Sequence, residues 1–361
     1  DIQRVSPESG TMWEDNGKLV WYGLDGNSYL SGSTQLEDGE LLVSWEDNRF
    51  FSTGHPGSFT YGLIVDSNLS GTDHMDSEPL SMNPYQGPHG TYTSRRAKTA
   101  SNGNNFLMGF LSADGNIEAF YQLIDENMNI MGNDFGSPVY FASDEGIEQR
   151  YYDMTSIDTD YYIAFSDNRD FAFNIYLAKV NQSGALVWPE AIKITDGLLS
   201  DNIIRSIVPL GNQNLMLLFE SQSWMGIGVN AMIIGADGQI LTEEINVCPD
   251  CTNNVQYEDF ALTSDGVVVS FKDSRGQASG VYAQKISFSG ELLNNENSIV
   301  ISDVQNDQRN SAITYNSVSD QILVCWNDAR NESGAGLSEV DVICSTFENS
   351  DLTVDTEFQV S

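Results

Sequence analysis

The strongest constraint in this sequence is a phrase that recurs. An apolar run ends in an aromatic residue and is followed by Asp-x-Arg, first as Leu41-Leu42-Val43-Ser44-Trp45-Glu46-Asp47-Asn48-Arg49. It returns as Ala164-Phe165-Ser166-Asp167-Asn168-Arg169, as Ser270-Phe271-Lys272-Asp273-Ser274-Arg275, and as Cys325-Trp326-Asn327-Asp328-Ala329-Arg330. Two degenerate copies, around Phe110 and Phe219, keep the apolar run and lose the Asp-x-Arg. Aligned on the aromatic, the anchors Trp45, Phe110, Phe165, Phe219, Phe271 and Trp326 are 65, 55, 54, 52 and 55 residues apart. A near-constant period of this size is the mark of a repeat architecture.

Inside each unit the apolar residues alternate with a period of two, so the runs read as strands. A first run such as Asp259-Phe260-Ala261-Leu262-Thr263 leads through a glycine turn into the anchor run. A third run carries a tyrosine, Tyr61, Tyr121, Tyr176 or Tyr282, and a glycine turn follows at Gly71, Gly184, Gly238 or Gly290. A short fourth run closes the unit, as in Glu244-Ile245-Asn246-Val247. Four strands per unit at this period predict an all-β chain, a six-bladed β-propeller with four-stranded antiparallel blades. Residues 1–29 are too few for a seventh blade. Lys18–Tyr22 and Ser28–Leu30 around a glycine turn predict a short appended N-terminal hairpin, or a strand that completes the last repeat, with 30–361 as a single propeller domain.

Charge narrows the partners. The 361 residues include 16 basic and 52 acidic ones, a formal net charge of −36. A chain so acidic has no positive footprint for phosphates, which excludes a broad nucleic-acid surface and argues against docking on an anionic membrane. No apolar run approaches the length of a membrane span. Calcium is the candidate cofactor, with Asp303–Asp307 and Asp66–Asp73 as acidic turns, although neither matches an EF-hand loop. Cys248-Pro249-Asp250-Cys251 stands without a second pair or a nearby histidine, so it reads as a disulfide-closed turn and not as a zinc or redox centre. Cys325 and Cys344 are either cross-strand partners or buried thiols. An even cysteine count fits an oxidising compartment. With an opening at Asp1 and no Met, the chain is expected to be a processed form, secreted or at the cell surface.

Three features are candidates for chemistry. The Asp-x-Arg turns read as scaffold, the Asp capping turn amides and the Arg pairing with it. Arg96, Arg150, Arg205, Tyr257 and Arg309 precede their anchors by 14, 15, 14, 14 and 17 residues. At the start of the innermost strand they would line a funnel mouth together with Arg95. Arginines there suit bidentate capture of carboxylates or sulfates, unless each is paired with an acid such as Glu148, Asp153 or Asp307. The three histidines, His55, His74 and His89, all lie between the first two anchors. His55 and His89 fall on connections that share one face, so beside Tyr92 and Arg96 they read as a general base with charge stabilisation, as metal ligands, or as exposed loop histidines.

The pattern aromatic-x-Asp-x-Arg, then Val281-Tyr282-Ala283-Gln284-Lys285-Ile286, then Ser289-Gly290 resembles the repeats of secreted propellers from Bacteroidetes-type bacteria. Asn174–Val180 with Ser183–Trp188 is a second copy. The resemblance covers about residues 30–361 and implies a propeller fold and export. Sialidases, also six-bladed propellers, grip a carboxylate with an arginine cluster and use a Tyr-Glu pair. Tyr257-Glu258 with Arg96, Arg150, Arg205 and Arg309 is similar in kind, but the Asp-box of that family is absent here.

Three functions remain in contention. One is a binding module for a glycan or a partner protein on the funnel face, which would show exposed aromatics such as Trp224 and Phe50 or Phe51 beside the rim. Another is a polysaccharide-acting enzyme, a sialidase-like hydrolase or a lyase, drawing on His55, His89, Tyr92, Tyr257 and Glu258. The third is a structural subunit of a surface assembly.

Overall fold

The anchor runs fold as the second strand of successive antiparallel sheets. These strands are Leu41–Asp47, Asn105–Asp114, Asp160–Asp170, Asn214–Ser223, Gly266–Asp273 and Gln321–Asp328. Each lies between a first strand and a third. Such a strand is covered on both faces, which is why Leu215-Met216-Leu217-Leu218-Phe219 is apolar without alternation and fully buried. The first strands are Ser28–Gln35, Ser94–Ser101, Gln149–Ile157, Asp201–Pro209, Gln256–Leu262 and Gln308–Asn316. A short fourth strand, such as Ile245–Asn246 or Ile299–Ser302, closes each sheet.

In the computed structural model the described residues are 5–6, 10–11, 28–35, 41–47, 59–65, 80–82, 94–114, 116–127, 129–131, 137–139, 146–251, 254–275, 278–294, 297–330, 340–350, 352–355 and 357–360. Among them, six sheets follow a simple up-and-down order, and the second carries one extra short strand on its third. This is the six-bladed β-propeller fold, and the six anchors count its blades one for one. The N-terminal pairing differs from expectation. Val5–Ser6 pairs with Gly10–Thr11, and the segment from Ser28 is the first strand of blade one. Residues 18–27, expected to form a hairpin, lie outside the described residues, apart from the strand that begins at Ser28.

By contact the chain divides into two compact units, residues 1–169 with 176–193, and residues 170–175 with 194–361. The first unit has a core around Leu107, Tyr121, Tyr161, Phe165 and Tyr176. The second has one core around Leu218, Val229, Phe271 and Tyr282, and another around Val324, Trp326 and Phe347. Anchor and third-strand aromatics stack in pairs: Trp45 on Tyr61 at 6.0 Å, Phe165 on Tyr176 at 5.9 Å, and Phe271 on Tyr282 at 6.3 Å. Offset stacking of this kind adds about 1 kcal/mol per pair beyond burial.

Three of the four Asp-x-Arg turns are scaffold, and Asn48-Arg49 of the first lie outside the described residues. Asp167 is buried, accepts the Arg169 N–H at 2.8 Å and holds the guanidinium through both oxygens, at 2.9 and 2.6 Å. The guanidinium lies 4.0 Å over the Tyr176 ring. In blade five Arg275 pairs with Asp273 and lies 4.2 Å over Tyr282. In blade six Arg330 joins Asp328 at 2.6 Å to Glu357 at 2.5 Å, tying in the last strand. Buried aspartates are tolerated here because each is paired with an arginine, and Asp167 and Asp328 also accept a backbone N–H.

Cys325 and Cys344 are directly opposed in register and form a disulfide. Cys248 and Cys251 close the expected small disulfide turn. Among the described residues, no helix is long and apolar enough to cross a membrane.

Candidate functional site

Every first strand carries a β-bulge at the same place. The register slips between Leu30 and Gly32, Arg95 and Lys98, Gln149 and Tyr151, Ile204 and Ser206, Tyr257 and Asp259, and Arg309 and Ala312. The bulged residues are Ser31, Arg96, Arg150, Arg205, Glu258 and Asn310. This corrects the alignment drawn from spacing alone, which placed Tyr257 and Arg309 at this position. Blade five has Glu258 there and blade six has Asn310. Where two residues bulge, the first takes a left-handed backbone, with φ 56° at Arg96 and 54° at Asn310.

The bulges are where one blade is fastened to the next. In the first unit Glu46, next to anchor Trp45, accepts the N–H of Arg96. In the second unit Glu220, next to anchor Phe219, accepts the N–H of Tyr257 at 2.9 Å. Glu258 accepts the N–H groups of Asn310 and Ser311, each at 2.7 Å. A bulge leaves amides without a ladder partner, and a carboxylate is the strongest acceptor for them.

This arrangement fixes the arginines. Arg150 pairs with Glu148 at 2.5 Å, and that bond holds its guanidinium above the ordinary value. Arg205 pairs with Glu220 at 2.7 Å and Arg309 with Asp307 at 3.4 Å. Arg96 donates to the Arg150 carbonyl at 3.1 Å and lies 5.2 Å over the Tyr151 ring. The side chain of Arg95 lies outside the described residues, as do His55, His74, His89, Tyr92, Phe50 and Phe51. Tyr257 shares a 2.7 Å hydrogen bond with Ser206. Of the proposed catalytic set, the described members Tyr257 and Glu258 are therefore both engaged in holding the second unit together.

The metal candidates resolve similarly. Among the described residues, the group close enough to share an ion is Cys248, Asp250 and Cys251. The two sulfurs are joined to each other, and Arg275 donates to Asp250 at 2.5 Å. Burial raises the Asp250 pKa, but bonds from Ser298 and Arg275 outweigh it and hold the carboxyl below its ordinary range. A site already holding a guanidinium does not suit a cation. Asp307 is shared between Lys272 and Arg309, each at 3.4 Å, and Asp66–Asp73 lies outside the described residues.

Among the described residues, an open groove lies in the second unit, at the end of blade four. Asn214–Ser223 returns as Gly226–Gly235 through a two-residue turn, with Gly226 at φ 136°. The turn residues are Trp224 and Met225, 86% and 62% exposed. A two-residue turn between long paired strands leaves its side chains nowhere to fold back. Trp224 lines a groove of about 490 Å³ with Phe171, Leu198, Leu199, Asp201 and Gln222. Phe171 is fully exposed and sits at φ 78°, a left-handed backbone that is unusual for an aromatic. Asp201 is fixed by the N–H of Phe173 at 2.9 Å. The sequence pointed to Trp224 as an exposed aromatic. Phe171 was missed, although it sits six residues after anchor Phe165, as Phe51 does after Trp45.

A second groove of about 310 Å³ adjoins the same turn, lined by Ser221, Ser223, Gly228, Asn246, Cys251 and Val255 among others. Ser221 and Ser223 hold the positions of the Asp and Arg in the repeat, and Asn230 pairs with anchor Phe219 where Tyr282 pairs with Phe271. Blade four, one of the two that lack the Asp-x-Arg pair, borders both grooves.

No protein-family model matches the chain, and a search of curated proteins finds no match. Solved structures share its fold. A prolyl oligopeptidase B from Galerina marginata, bound to a macrocyclization substrate, superposes with a TM-score of 0.51 at 9% identity. That match covers 96% of this chain and 45% of the oligopeptidase, so this chain spans less than half of that protein. An ulvan lyase from a new polysaccharide-lyase family, bound to a glucuronate–sulfated rhamnose repeat, gives 0.50 at 11% identity, over 81% of this chain and 75% of the lyase. At such identities the likeness is one of fold, and it agrees with the six-bladed β-propeller of antiparallel sheets.

Proposed function

We propose that the chain is a secreted or cell-surface carbohydrate-binding module, with the groove beside Trp224 as its site. The observation that carries this reading is the pair of exposed aromatics, Trp224 and Phe171, lining a groove whose other lining includes Asp201, Gln222 and Ser223. A sugar ring has an apolar face of C–H bonds and a rim of hydroxyls. It is bound by a flat aromatic surface with donors and acceptors at the edge. Exposed aromatics grouped beside a groove on the turns of a rigid scaffold are the signature of a binding surface. Both aromatics sit on strand ends of the scaffold, so little ordering is needed on binding.

Export fits the two disulfides, which persist in oxidising compartments. That an ulvan lyase shares the fold is compatible with a carbohydrate ligand and goes no further. Binding is favoured over turnover because Glu258 gives both oxygens to backbone amides and Tyr257 is bonded to Ser206. The test is a glycan array probed with the parent chain, Trp224→Ala and Phe171→Ala. Retention of a glycan by the parent and its loss in Trp224→Ala is expected. Equal retention by both refutes the site.

A further inference from the structure

The two grooves lie on either side of the Trp224-Met225 turn and share Ser223. One is bounded by Phe171, Leu198 and Leu199, which precede blade four in the chain. The other is bounded by Asn246 and the Cys248–Cys251 turn, which lead out of blade four. Volumes of about 490 and 310 Å³ each fall in the range of small-ligand sites. A ligand that ends at the turn would use one of them. A chain that crosses the turn uses both, with Trp224 beneath its middle.

The second groove is a product of sequence change within the repeat. In blades three, five and six the positions two and four after the anchor hold an ion-paired Asp and Arg. In blade four they are Ser221 and Ser223. Ser221 is tied to Asn202 at 2.8 Å and to Asn230 at 2.9 Å, so small polar groups replace a guanidinium packed on an aromatic. The adjoining strand adds Gly228, where a Cβ would meet nothing within 4 Å. The Cys248–Cys251 bridge holds the far wall in place.

Charge restricts the ligand further. Among the described residues of both linings the sole charged side chain is Asp201, and neither lining includes a lysine or an arginine. In a chain of net charge −36 an anionic polymer would meet repulsion with no compensating cation.

We infer that the two grooves form one cleft for the interior of an uncharged linear polysaccharide, crossing the Trp224-Met225 turn. This rests on the carbohydrate-binding reading and adds two claims to it: the ligand is neutral, and it spans both sides of the turn. Gly228→Phe isolates the second groove by placing a ring in its open space. Ser221→Asp with Ser223→Arg restores the pair of the other blades at the edge the two grooves share.

The experiment uses the full chain in affinity electrophoresis through neutral polymers (mannan, mixed-linkage β-glucan, xylan, arabinan) and anionic ones (alginate, polygalacturonate). Calorimetry then follows oligosaccharides of the retained polymer from two to six units. Expected is retention by a neutral polymer and affinity that rises at least tenfold between two units and five. Gly228→Phe should lose that gain and bind the disaccharide as the parent does. If the Ser221→Asp/Ser223→Arg chain fails to fold, Gly228→Phe alone decides. Affinity that is flat beyond two units, retention by anionic polymers alone, or full affinity in Gly228→Phe overturns the inference. Any of these with binding still abolished by Trp224→Ala leaves the carbohydrate reading intact. Retention unaffected by Trp224→Ala, or no retention at all, overturns both.

Discussion

The carboxylate of Glu220 accepts the backbone N–H of Tyr257 at 2.9 Å while it holds the guanidinium of Arg205 at 2.7 Å. Gln222 donates to it as well, at 3.1 Å, and the residue is 2% exposed. One buried acid thus joins the bulge of its own blade to the bulge of the next. Glu220 is buried but Arg205 is 30% exposed, so losing the acid costs less than breaking a fully buried pair, about 1–3 kcal/mol. Glu220→Ala should be destabilised by that amount in urea unfolding. Glu220→Ala combined with Arg205→Met should recover part of it, since the stranded cation is gone. A loss below about 1 kcal/mol for the single variant would show that the fastening is weak.

Asp328 predicts an acid limit. Burial raises its pKa, yet bonds from Arg330 and Trp326 and the Arg330 amide outweigh burial and hold it below the ordinary 3.8. A carboxyl depressed on folding stabilises the protein above its unfolded pKa, and that stability is lost as pH falls through the folded pKa. Melting temperature should therefore drop progressively below about pH 4. Asp328→Asn should be less stable at pH 7 and show a shallower fall in acid. The same acid slope in both proteins would exclude Asp328 as a contributor.

The disulfides should differ in worth. Cys325–Cys344 closes a separation of 19 residues and Cys248–Cys251 one of 3. A cross-link restricts the unfolded chain more as its loop grows, to about 3 kcal/mol near this longer length. Cys325→Ser/Cys344→Ser should lose about that much in denaturant. Cys248→Ser/Cys251→Ser should lose less in stability. The reverse order would show that the small bridge fixes more of the fold than its own turn.

Much of the fold was legible in the sequence because its signals are local and repeated. An apolar run ending in an aromatic is what a doubly covered central strand requires, and six such runs gave six blades. The Asp-x-Arg turn was legible as scaffold because an Asp can cap turn amides and pair with an Arg two residues on, as Asp167 does with Arg169. Less could be read at the bulges. A bulge inserts one residue or two without a sequence signature, so spacing alone set Tyr257 and Arg309 where the structure has Glu258 and Asn310. The arginines were visible, but not their partners, because Glu220 lies 15 residues from Arg205 in sequence and on another strand. The grooves were foreshadowed by Trp224 and by the missing Asp-x-Arg at Ser221 and Ser223, an absence that blade two shares.

Trp224 should carry binding without carrying stability. At 86% exposure its replacement removes no core contact, and surface changes of this kind stay within about 0.5 kcal/mol. Trp224→Ala should unfold at the same urea concentration as the parent. A large shift in its midpoint would mean that the turn serves the fold and not a ligand.

Tryptophan fluorescence under acrylamide quenching tests the central claim most directly, because Trp45 and Trp326 are buried while Trp224 is open to solvent. Adding a retained neutral polysaccharide should protect part of the parent emission from the quencher and leave Trp224→Phe unprotected. A parent whose quenching is unchanged by a polysaccharide it demonstrably retains would contradict the account.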